Sequence, residues 1–505
     1  MTTSAFDDTR WDLLVIGGGT AGLVGAKTAA GLGARVLLVE RHRTGGDCLW
    51  TGCVPSKSLL ASAAAAADAR AADRLGVDVE GVRVDFSRVM AHVRAAIDVI
   101  APSDSPASLE AAGVHVLTGT ACLTGPDTAD VEGRTVRFRQ ALLASGATPA
   151  VPPIPGLDPA ALLTSDTVWD LQELPTRLAV LGGGPIGCEL AQAFARLGAE
   201  VTLVEGADQI LSKEAPDAAE IVARALAADG VRLLLGQPVT KVVHSDRGGQ
   251  LLLADGDAVA FDQLLVAVGR KPSTAHLSCA AAGVDLADDG TIVVDAHLRA
   301  SNPRIWAAGD LTGHPQFTHT AGVHGSLAAG NAVLGLRRRV DPVVPRVTFT
   351  SPEVAAVGVD SASPPAGCTV QREGHADVDR AVAEDQTSGF TDLVLDSRGR
   401  LVGATVVGPR AGETLAELTL AIRHGMRASA VAGTTHAYPT YSDAVWNATV
   451  ATVRARLARP VASRLTGVAV KARRTWLDLR RPRWARSPLQ LTSATGIRPP
   501  SAGQR

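Results

Sequence analysis

The sequence predicts an α/β protein with two Rossmann-like domains, followed by a smaller α+β domain near the C-terminus. Two observations support this: a glycine-rich segment occurs twice between apolar runs, and the pattern changes at Val347, where VTFTSPEVAAVG reads as a strand and a turn. The chain has 505 residues, of which 46% are hydrophobic. This length allows about three or four domains, each with a sizeable core.

The two similar segments each predict a βαβ unit. Residues 13–40 read LLVIGGGTAGLVGAKTAAGLGARVLLVE, and residues 178–205 read LAVLGGGPIGCELAQAFARLGAEVTLVE. Each begins with an apolar run typical of a buried parallel strand, turns on glycines, and continues through an Ala/Leu-rich helix into a second apolar strand. Each unit ends in a glutamate, Glu40 or Glu205.

The glycines of both units follow the pattern G-x-G-x-x-G. The first allows a tight turn, the second lets the backbone approach a pyrophosphate, and the third lets helix and strand pack closely. A single copy also fits an ordinary strand–helix turn, but two copies in complete βαβ frames indicate two dinucleotide sites. Glu40 and Glu205 stand where a carboxylate accepts hydrogen bonds from a ribose 2′-hydroxyl. The glycines are Gly17, Gly19, Gly22, Gly182, Gly184 and Gly187.

A cysteine pair follows the first unit, in GGDCLWTGCVPSK at 45–57. Cys48 and Cys53 could ligate a metal, but no second Cys/His pair follows to complete a tetrahedral site, so no metal site is expected. Two inert buried thiols are disfavoured by the surrounding glycines. The other cysteines are isolated and are expected to be small core or surface residues: Cys122, Cys188, Cys279 and Cys368.

With these motifs the chain resembles the class I pyridine nucleotide–disulfide oxidoreductases, such as dihydrolipoamide dehydrogenase, glutathione reductase and mercuric reductase. The resemblance covers about residues 10–455 and rests on the thiol motif, both glycine units in order, ASGA at 144–147 and AAGD at 307–310. It implies FAD in the first unit, NAD(P)H in the second, and a homodimer. The implied domains are an FAD-binding part (1–150), an NAD(P)-binding domain (151–275), a segment completing the FAD domain (276–345), a dimerisation domain (346–455) and a basic tail (456–505).

The resemblance also implies the roles of individual residues. Electrons would pass from the nicotinamide through the flavin to a Cys48–Cys53 disulfide, with Cys53 facing the flavin and Cys48 attacking the substrate. Lys57 would lie near the flavin and pair with Glu189 on the helix of the second unit, and Asp310 would bind the ribityl or pyrophosphate part of FAD. Further cofactor contacts are expected from Gly119, Ser145, Gly146, His319, Val239 and Gly269.

The residues after the second unit favour NADH over NADPH. Glu205 suits a free 2′-hydroxyl, whereas an NADPH site usually places an arginine nearby to meet the 2′-phosphate. The sequence that follows, GADQILSKEAPD, offers only Lys213.

The stretch HAYPTYSD at 436–443 departs from the family pattern. In dihydrolipoamide dehydrogenases it looks like HAHPTxSE, in which the second His relays protons to the interchange thiol of the other subunit and the Glu orients that His. Here Tyr438 and Asp443 take those places. A tyrosine, with a pKa of about 10 against about 6.5 for histidine, is a poor general base at neutral pH.

Two further readings of this stretch stay open. His436 either supplies the base or only stabilises the turn, and Tyr438 is either an active-site hydroxyl or an interface contact. Mercuric reductases also carry Tyr at this point, but they resemble each other in a C-terminal cysteine pair, and this chain has no cysteine after Cys368.

Three functions follow as alternatives. The first is reduction or oxidation of a small disulfide or dithiol, as in dihydrolipoamide dehydrogenase. The second is reduction of soft metal ions or quinones, which needs no relayed proton. The third is a non-catalytic flavoprotein scaffold or NADH sensor.

The last residues form a basic tail. Residues 454–505 contain thirteen Lys/Arg and one acid, and Leu457, Val461, Leu465 and Val468 recur at helical spacing. The tail is expected to be a helix over the partner subunit followed by disorder. A weak contact with an anionic membrane surface is the second reading, and nucleic acid is the third.

The remaining features predict a cytoplasmic protein. The formal charge of −2 gives no whole-protein attraction to nucleic acid or lipid. The N-terminus lacks the cationic and apolar regions of a signal peptide, and no run of about 18 apolar residues predicts a spanning helix. Six cysteines in this length do not make a disulfide scaffold, which fits a reducing compartment.

Overall fold

The structure is a computed structural model, and it describes residues 10–245 and 248–480. The expectations that concern the N-terminal nine residues, and the expectation that the end of the tail is disordered, lie outside the described residues. The strands are β1 (Arg10–Ile16), β2 (Val36–Glu40), β3 (Val114–Thr118), β4 (Ala121–Gly125), β5 (Thr128–Val131), β6 (Arg134–Leu143), β7 (Ala147–Pro149), β8 (Arg177–Leu181), β9 (Glu200–Val204), β10 (Arg232–Leu234), β11 (Val239–Ser245), β12 (Gly248–Leu253), β13 (Ala258–Phe261), β14 (Gln263–Val266), β15 (Arg270–Pro272), β16 (Ile305–Ala307), β17 (Arg346–Thr348), β18 (Glu353–Gly358), β19 (Thr369–Gly374), β20 (Phe390–Leu395) and β21 (Leu401–Gly408). The α-helices are α1 (Thr20–Gly31), α2 (Gly46–Trp50), α3 (Cys53–Arg70), α4 (Phe86–Ile100), α5 (Pro106–Ala111), α6 (Pro185–Leu197), α7 (Pro216–Ala228), α8 (Thr318–Leu334), α9 (Asp379–Ala383), α10 (Ala411–Arg423), α11 (Ala428–Ala432), α12 (Asp443–Leu457) and α13 (Pro460–Leu479).

The first βαβ unit lies in the centre of a sheet ordered β3-β2-β1-β6-β5-β4, with β16 also paired to β6. The pairs β1–β2, β2–β3, β1–β6 and β16–β6 are parallel, while β4 and β5 add an antiparallel edge. The four residues Val36–Val39 of β2 are fully buried, as a strand covered on both faces requires. The predicted β1–α1–β2 unit is confirmed.

The second βαβ unit builds a four-stranded parallel sheet ordered β10-β9-β8-β14. Its β8–α6–β9 connection is the predicted unit, and a separate antiparallel sheet of β11, β12 and β13 lies beside it. Strand β15 pairs with β7 and so joins the two halves of the molecule just beyond the ends of their central strands.

The segment after Val347 forms the predicted α+β domain. Its antiparallel sheet has the order β17-β18-β21-β20-β19. Helices α10 and α12 cover this sheet, and the core between them includes Leu393, Leu415, Leu418 and Val445. The α/β fold class with a C-terminal α+β domain is therefore confirmed.

Helices α1 and α8 cross at a glycine contact that positions the start of α1. A Cβ atom on Gly325 of α8 would lie 2.2 Å from the carbonyl oxygen of Ala21, in the first turn of α1. The two helices approach this closely only because Gly325 has no side chain. Within the described residues, no helix is both long enough and apolar enough to span a membrane.

Candidate active site

The two glycine turns share one detailed geometry. Gly17 has φ +107° and Gly182 has φ +110°, values that a residue with a side chain rarely adopts. A Cβ on Gly22 would lie 1.9 Å from the carbonyl oxygen of Gly17, and one on Gly187 would lie equally close to that of Gly182. The turn and the close helix–strand contact predicted from the motif are therefore present in both units.

The glutamates that end the two units also repeat each other. Glu40 Oε2 accepts a hydrogen bond from the backbone N–H of Gly18 at 2.7 Å, and Glu205 Oε2 accepts one from Gly183 at 2.6 Å. The second oxygen of each carboxylate accepts from a backbone N–H two residues further on, at His42 in the first unit. Each acid therefore anchors its own glycine turn, which is a role that the sequence motif alone did not indicate.

A cleft of about 490 Å³ connects the first glycine turn to the cysteine pair. Its lining includes Gly17, Gly19 and Glu40 of the first unit as well as Cys48 and Cys53. Other predicted cofactor residues also line this cleft: Gly119, Ser145, Gly146 and Asp310. One continuous cavity thus brings together the dinucleotide motif and the thiols.

The two cysteines lie at the starts of neighbouring helices. Cys48 belongs to the short α2, and Cys53 is the first residue of the 18-residue α3. Both are thiols in this structure, and Cys53 Sγ lies 3.2 Å from Thr318 Oγ1 at the start of α8. A hydrogen bond from Cys48, supported by Thr318 and by the charge of Lys57, lowers the pKa of Cys53 to about 6 against the opposing effect of burial.

Cys48 is shifted in the other direction. Donating a hydrogen bond to Cys53, together with burial, raises the pKa of the Cys48 thiol. At neutral pH the pair therefore holds one thiolate, on Cys53, stabilised by a neighbouring thiol and a hydroxyl. Both sulfurs line the cleft, and the roles expected of them, Cys53 toward the flavin and Cys48 toward the substrate, stay predictions.

The expected ion pair between Lys57 and Glu189 is present. Lys57 Nζ lies 2.7 Å from Glu189 Oε2 and above the ring of Phe349 at 4.1 Å. The other oxygen of Glu189 accepts a hydrogen bond from the backbone N–H of Phe349 at 2.9 Å. Glu189 thereby joins the thiol helix, the second nucleotide unit and the start of the α+β domain.

Arg270 is a site residue that the sequence analysis missed. Its guanidinium bonds to Asp47 and to the carbonyl oxygen of Ala147, and its Nε lies 3.8 Å from Asp310 Oδ2. That Nε is buried and has no hydrogen-bond partner within the described residues. Burial raises the pKa of Asp310, and the charge of Arg270 opposes this shift. The only signal in the sequence was its position directly after Gly269.

Tyr438 lies on the surface of the α+β domain. Its side chain is 72% exposed, and its hydroxyl donates to Asp379 Oδ2 of α9 at 2.5 Å. The hydrogen bond and the negative charge of Asp379 raise the pKa of Tyr438. The expectation that Asp443 orients the side chain at 438 is wrong, because Asp443 Oδ2 accepts the backbone N–H of Thr440 at 3.0 Å instead.

The side chain of His436 contacts a different helix, α10. Its Nε2 lies 2.8 Å from Glu417 Oε1 of α10, and its Nδ1 lies 3.0 Å from the carbonyl oxygen of Thr434. Both ring nitrogens therefore lie beside oxygen acceptors of the surrounding chain. His436 and Tyr438 therefore do not present their side chains together, contrary to what an extended chain implied, and the stabilising role of His436 is the one that these contacts favour.

Three residues that were expected to contact a cofactor do not line the cleft: His319, Val239 and Gly269. His319 lies outside the cleft, with Nε2 2.9 Å from the carbonyl oxygen of Pro345, while its neighbour Thr318 lines it. Val239 starts β11 and packs on the core beside the second unit. Gly269 has φ +131° directly before Arg270. No cluster of three or more metal-ligating His, Cys, Asp or Glu occurs within the part of the chain that the structure describes.

Comparison with known proteins decides the family. The family model described as pyridine nucleotide-disulphide oxidoreductase matches residues 11–325, and the model of its dimerisation domain matches residues 344–449. The chain belongs to the pyridine nucleotide-disulphide oxidoreductases. It is therefore an FAD-dependent enzyme that uses a pyridine nucleotide and a redox-active thiol pair, and its dimerisation domain makes it a homodimer.

Individual relatives in this family have different substrates. The chain is 37% identical over 454 residues to a mercuric reductase of Streptomyces lividans, covering 86% of this chain and 95% of the relative. It is 33% identical over 460 residues to a dihydrolipoyl dehydrogenase of Chlamydia muridarum, with the same coverage. The solved Cu(II) complex of the HOCl-induced flavoprotein disulfide reductase RclA from Escherichia coli is 27% identical with a TM-score of 0.78, covering 88% and 99% of the two chains.

The lining of the cleft fits the FAD of this oxidoreductase family. Helix α1 starts at the Gly19 N-cap with no side-chain cap and no acid in its first turn, so its first N–H groups can bind a diphosphate. The unpartnered Nε of Arg270 offers a donor for the same cofactor. When bound, FAD supplies electron transfer between the nicotinamide and the thiols.

The chain's own residues prepare the thiol side of this oxidoreductase reaction. Thr318 and Cys48 hold a thiolate on Cys53, and the Lys57 ammonium adds positive charge beside it. Cys48 holds the proton of the pair, and it would have to lose that proton before it could attack a substrate, because exchange proceeds through a thiolate. Helix α6 of the second unit starts at Gly184 without an acidic side chain in its first turn, as a diphosphate of the nucleotide requires.

Proposed function

We propose that this enzyme oxidises NADH and passes the electrons through Cys48 and Cys53 to a thiophilic metal ion, Hg(II) or Cu(II), in preference to a dithiol. The observation that carries the proposal is the state of Tyr438. It replaces the imidazole of the dehydrogenase pattern, and its hydroxyl donates to Asp379, whose charge raises the tyrosine pKa.

The proton balance of the two reactions differs. Reduction of a disulfide by NADH takes up one proton to yield two thiols, and oxidation of a dithiol releases it, so a positioned acid/base speeds both directions by about 10²–10⁴. Reduction of Hg(II) by NADH gives Hg(0), NAD⁺ and one proton, and no proton is delivered to the product. A soft cation also binds thiolates in preference to oxygen or nitrogen ligands.

The surroundings of the thiols support the same choice. Cys53, with a pKa lowered to about 6, is a thiolate at neutral pH and is ready to bind a soft cation. His436 is engaged by Glu417 and by the carbonyl oxygen of Thr434 and so does not replace the missing base. Two proteins whose sequences are similar to this chain support the same choice. One is a mercuric reductase, and the other is a disulfide reductase whose structure was solved as a Cu(II) complex.

A small disulfide or dithiol is the second candidate. It is favoured by the absence of any cysteine after Cys368, since a C-terminal pair is typical of mercuric reductases, and by the similarity to a dihydrolipoyl dehydrogenase. The non-catalytic scaffold has no support, because the chain belongs to an enzyme family and keeps both thiols.

An acceptor panel separates the two candidates. NADH oxidation by the purified enzyme is measured with Hg(II), Cu(II), lipoamide, glutathione disulfide and a quinone, for the wild type, Tyr438→His and the matched control Tyr438→Phe. We expect metal ions to give the highest kcat/KM in the wild type. Tyr438→His should raise lipoamide turnover by about 10²-fold or more because it restores a base, whereas Tyr438→Phe should not.

Two results would contradict this assignment. Lipoamide turnover by the wild type at least equal to that with metal ions would favour the second candidate. Fast metal reduction in Cys48→Ser and Cys53→Ser variants would show that the thiols are bypassed.

We also propose NADH as the preferred nucleotide. Two acidic residues, Glu205 and Asp208, follow β9, where the dinucleotide motif expects the ribose 2′-oxygen, and residues 205–212 contain no Lys or Arg. Glu205→Gln should lower the ratio of kcat/KM for NADH to that for NADPH, because it removes a negative charge that would repel the 2′-phosphate. Glu200→Gln, at the start of β9, should leave the ratio unchanged. A wild-type preference for NADPH would overturn this proposal.

The remaining parts of the proposal concern assembly and location. The segment HAYPTYSD of one subunit would approach the thiols of its partner, as in relatives, so the active site would be shared. A dithiol that must be reduced in every cycle suits a reducing compartment, so we propose a cytoplasmic location. Mixed dimers that carry Cys48→Ser in one subunit and Tyr438→His in the other test the shared site.

A further inference from the structure

Helix α13 presents an apolar stripe that nothing in the described chain covers. Its members are spaced four, three, four, four and three residues apart, which places them on one face of a helix. Its aliphatic members are exposed, Val461 by 72%, Leu465 by 66%, Val468 by 67% and Leu479 by 74%, and its tryptophan, Trp476, is exposed by 39%. We define the apolar stripe as Val461, Leu465, Val468, Ala472, Trp476 and Leu479.

Basic side chains border the stripe on both sides. At about 100° per residue, Arg464 and Lys471 lie along one edge, and Arg473 and Arg480 lie along the other. The guanidinium groups of Arg473 and Arg480 lie over the ring of Trp476 at 3.9 and 4.3 Å. A tryptophan bracketed by arginines beside an apolar face suits a boundary between an apolar phase and an anionic one.

Charge decides which occupant this face fits. Thirteen of the 49 basic residues but only one of the 51 acidic residues lie in residues 454–505, so the rest of the chain carries 36 basic and 50 acidic residues. A second copy of α13 would bring two like-charged borders together, which is unfavourable. Nucleic acid would satisfy the arginines but would leave the apolar stripe in water.

We propose that α13 docks the enzyme on a membrane surface that contains anionic phospholipid, with the helix lying in the plane of the interface. The apolar stripe enters the headgroup–acyl boundary, and the bordering Arg and Lys contact lipid phosphates. The acidic remainder of the chain is repelled by the same surface, so it faces away from the membrane. Residues 481–486 continue the same composition with three arginines and a tryptophan.

Vesicle flotation of the full-length, FAD-loaded dimer tests this proposal. Vesicles contain either phosphatidylcholine alone or phosphatidylcholine with about 30% phosphatidylglycerol. We expect flotation only with the anionic vesicles, and loss of binding in high salt because the screening length shortens. Leu465→Asp should weaken binding about tenfold or more, since it removes an apolar side chain from the boundary.

Val470→Asp is the matched control. It introduces the same charge on the same helix, and Val470 is 49% exposed but lies about 140° from Leu465, outside the stripe. Its binding should stay within about threefold of the wild type. FAD absorbance and NADH oxidation in solution verify that both variants are folded.

Four outcomes would overturn the proposal. The first is that the wild type does not float with anionic vesicles. The second is that Leu465→Asp and Val470→Asp lose binding equally, which would indicate charge attraction alone. The third is that Leu465→Asp dissociates the dimer in gel filtration, which would indicate that the stripe packs against the second subunit. The fourth is that the wild type binds DNA more tightly than anionic vesicles and that Leu465→Asp leaves the DNA binding unchanged.

Discussion

At the residue scale, both tyrosines of this chain donate hydrogen bonds to carboxylates. The two carboxylates belong to residues that lie close together in the sequence. Tyr438 donates to Asp379, and Tyr441 donates to Glu384 at 2.9 Å. Burial and the hydrogen bond to Glu384 raise the pKa of Tyr441 to about 12. Tyr438 is held by the same kind of hydrogen bond but is exposed, and the charge of Asp379 raises its pKa as well.

Because these are the only two tyrosines of the chain, the hydrogen bond of Tyr438 can be tested directly. We expect Asp379→Asn to lower the pKa of Tyr438, since the variant removes the negative charge that opposes ionisation. The measurement is a pH titration by ¹⁹F NMR of protein labelled with 3-fluorotyrosine, which gives two resonances. Tyr441 should not shift in this variant, and Glu384→Gln should affect Tyr441 alone. An unchanged titration of Tyr438 in Asp379→Asn would mean that the contact is absent in solution.

At the element scale, the crossing of α1 and α8 controls the start of the cofactor cleft. Gly25 faces Gly325 across this crossing, and a Cβ on Gly25 would lie 2.5 Å from Leu142 Cδ2 and 3.2 Å from the carbonyl oxygen of Gly325. The N-terminus of α1, with its free N–H groups, is therefore placed by contacts in the first and second turns of the same helix. An FAD diphosphate held by these N–H groups would depend on this packing.

We expect Gly325→Ala to weaken FAD binding. The new methyl group meets the backbone of Ala21, which cannot move aside without displacing the first turn of α1, and such overpacking costs about 1–3 kcal/mol. The control is Gly330→Ala on the same helix, where a Cβ meets nothing within 4 Å. It should keep FAD and gain up to about 1 kcal/mol from helix propensity. FAD release during thermal unfolding measures both, and equal flavin retention in the two variants would contradict the argument.

At the scale of the whole molecule, single buried groups connect distant parts of the chain. Glu189 joins α3, α6 and the segment after β17 through Lys57 and Phe349. His375 lies buried under β20 and β21, with Nε2 3.1 Å from Thr391 Oγ1 and Nδ1 without a partner among the described residues. Burial lowers the pKa of His375 to about 4. His324, buried in α8, shows the same shift to about 4.

These histidines predict that the protein loses stability in mild acid. A histidine with a folded-state pKa of about 4 and an unfolded pKa of about 6.5 is neutral in both states above pH 6.5. It therefore causes no loss of folding stability in that range. As the pH falls from about 6.5 to 4, only the unfolded state gains the proton, which costs at most about 3 kcal/mol per group. Thermal midpoints between pH 4.5 and 7.5 measure this loss.

His375→Gln should remove its share of the pH dependence of stability, whereas His92→Gln, at an exposed position, should not. A wild-type midpoint that stays constant from pH 7 to 4.5 would exclude this role of the buried histidines.

The sequence by itself determined the two βαβ units, the glycine turns, the thiol pair and the α+β domain, because hydrophobic period, glycine spacing and turn chemistry act within short windows. The Lys57–Glu189 pair followed from the resemblance to a known family. Only the tertiary structure decided that Tyr438 binds Asp379, 59 residues away, and that Arg270 meets Asp47, 223 residues away. Such pairs depend on how all the intervening elements pack, and no local pattern in the chain encodes that arrangement.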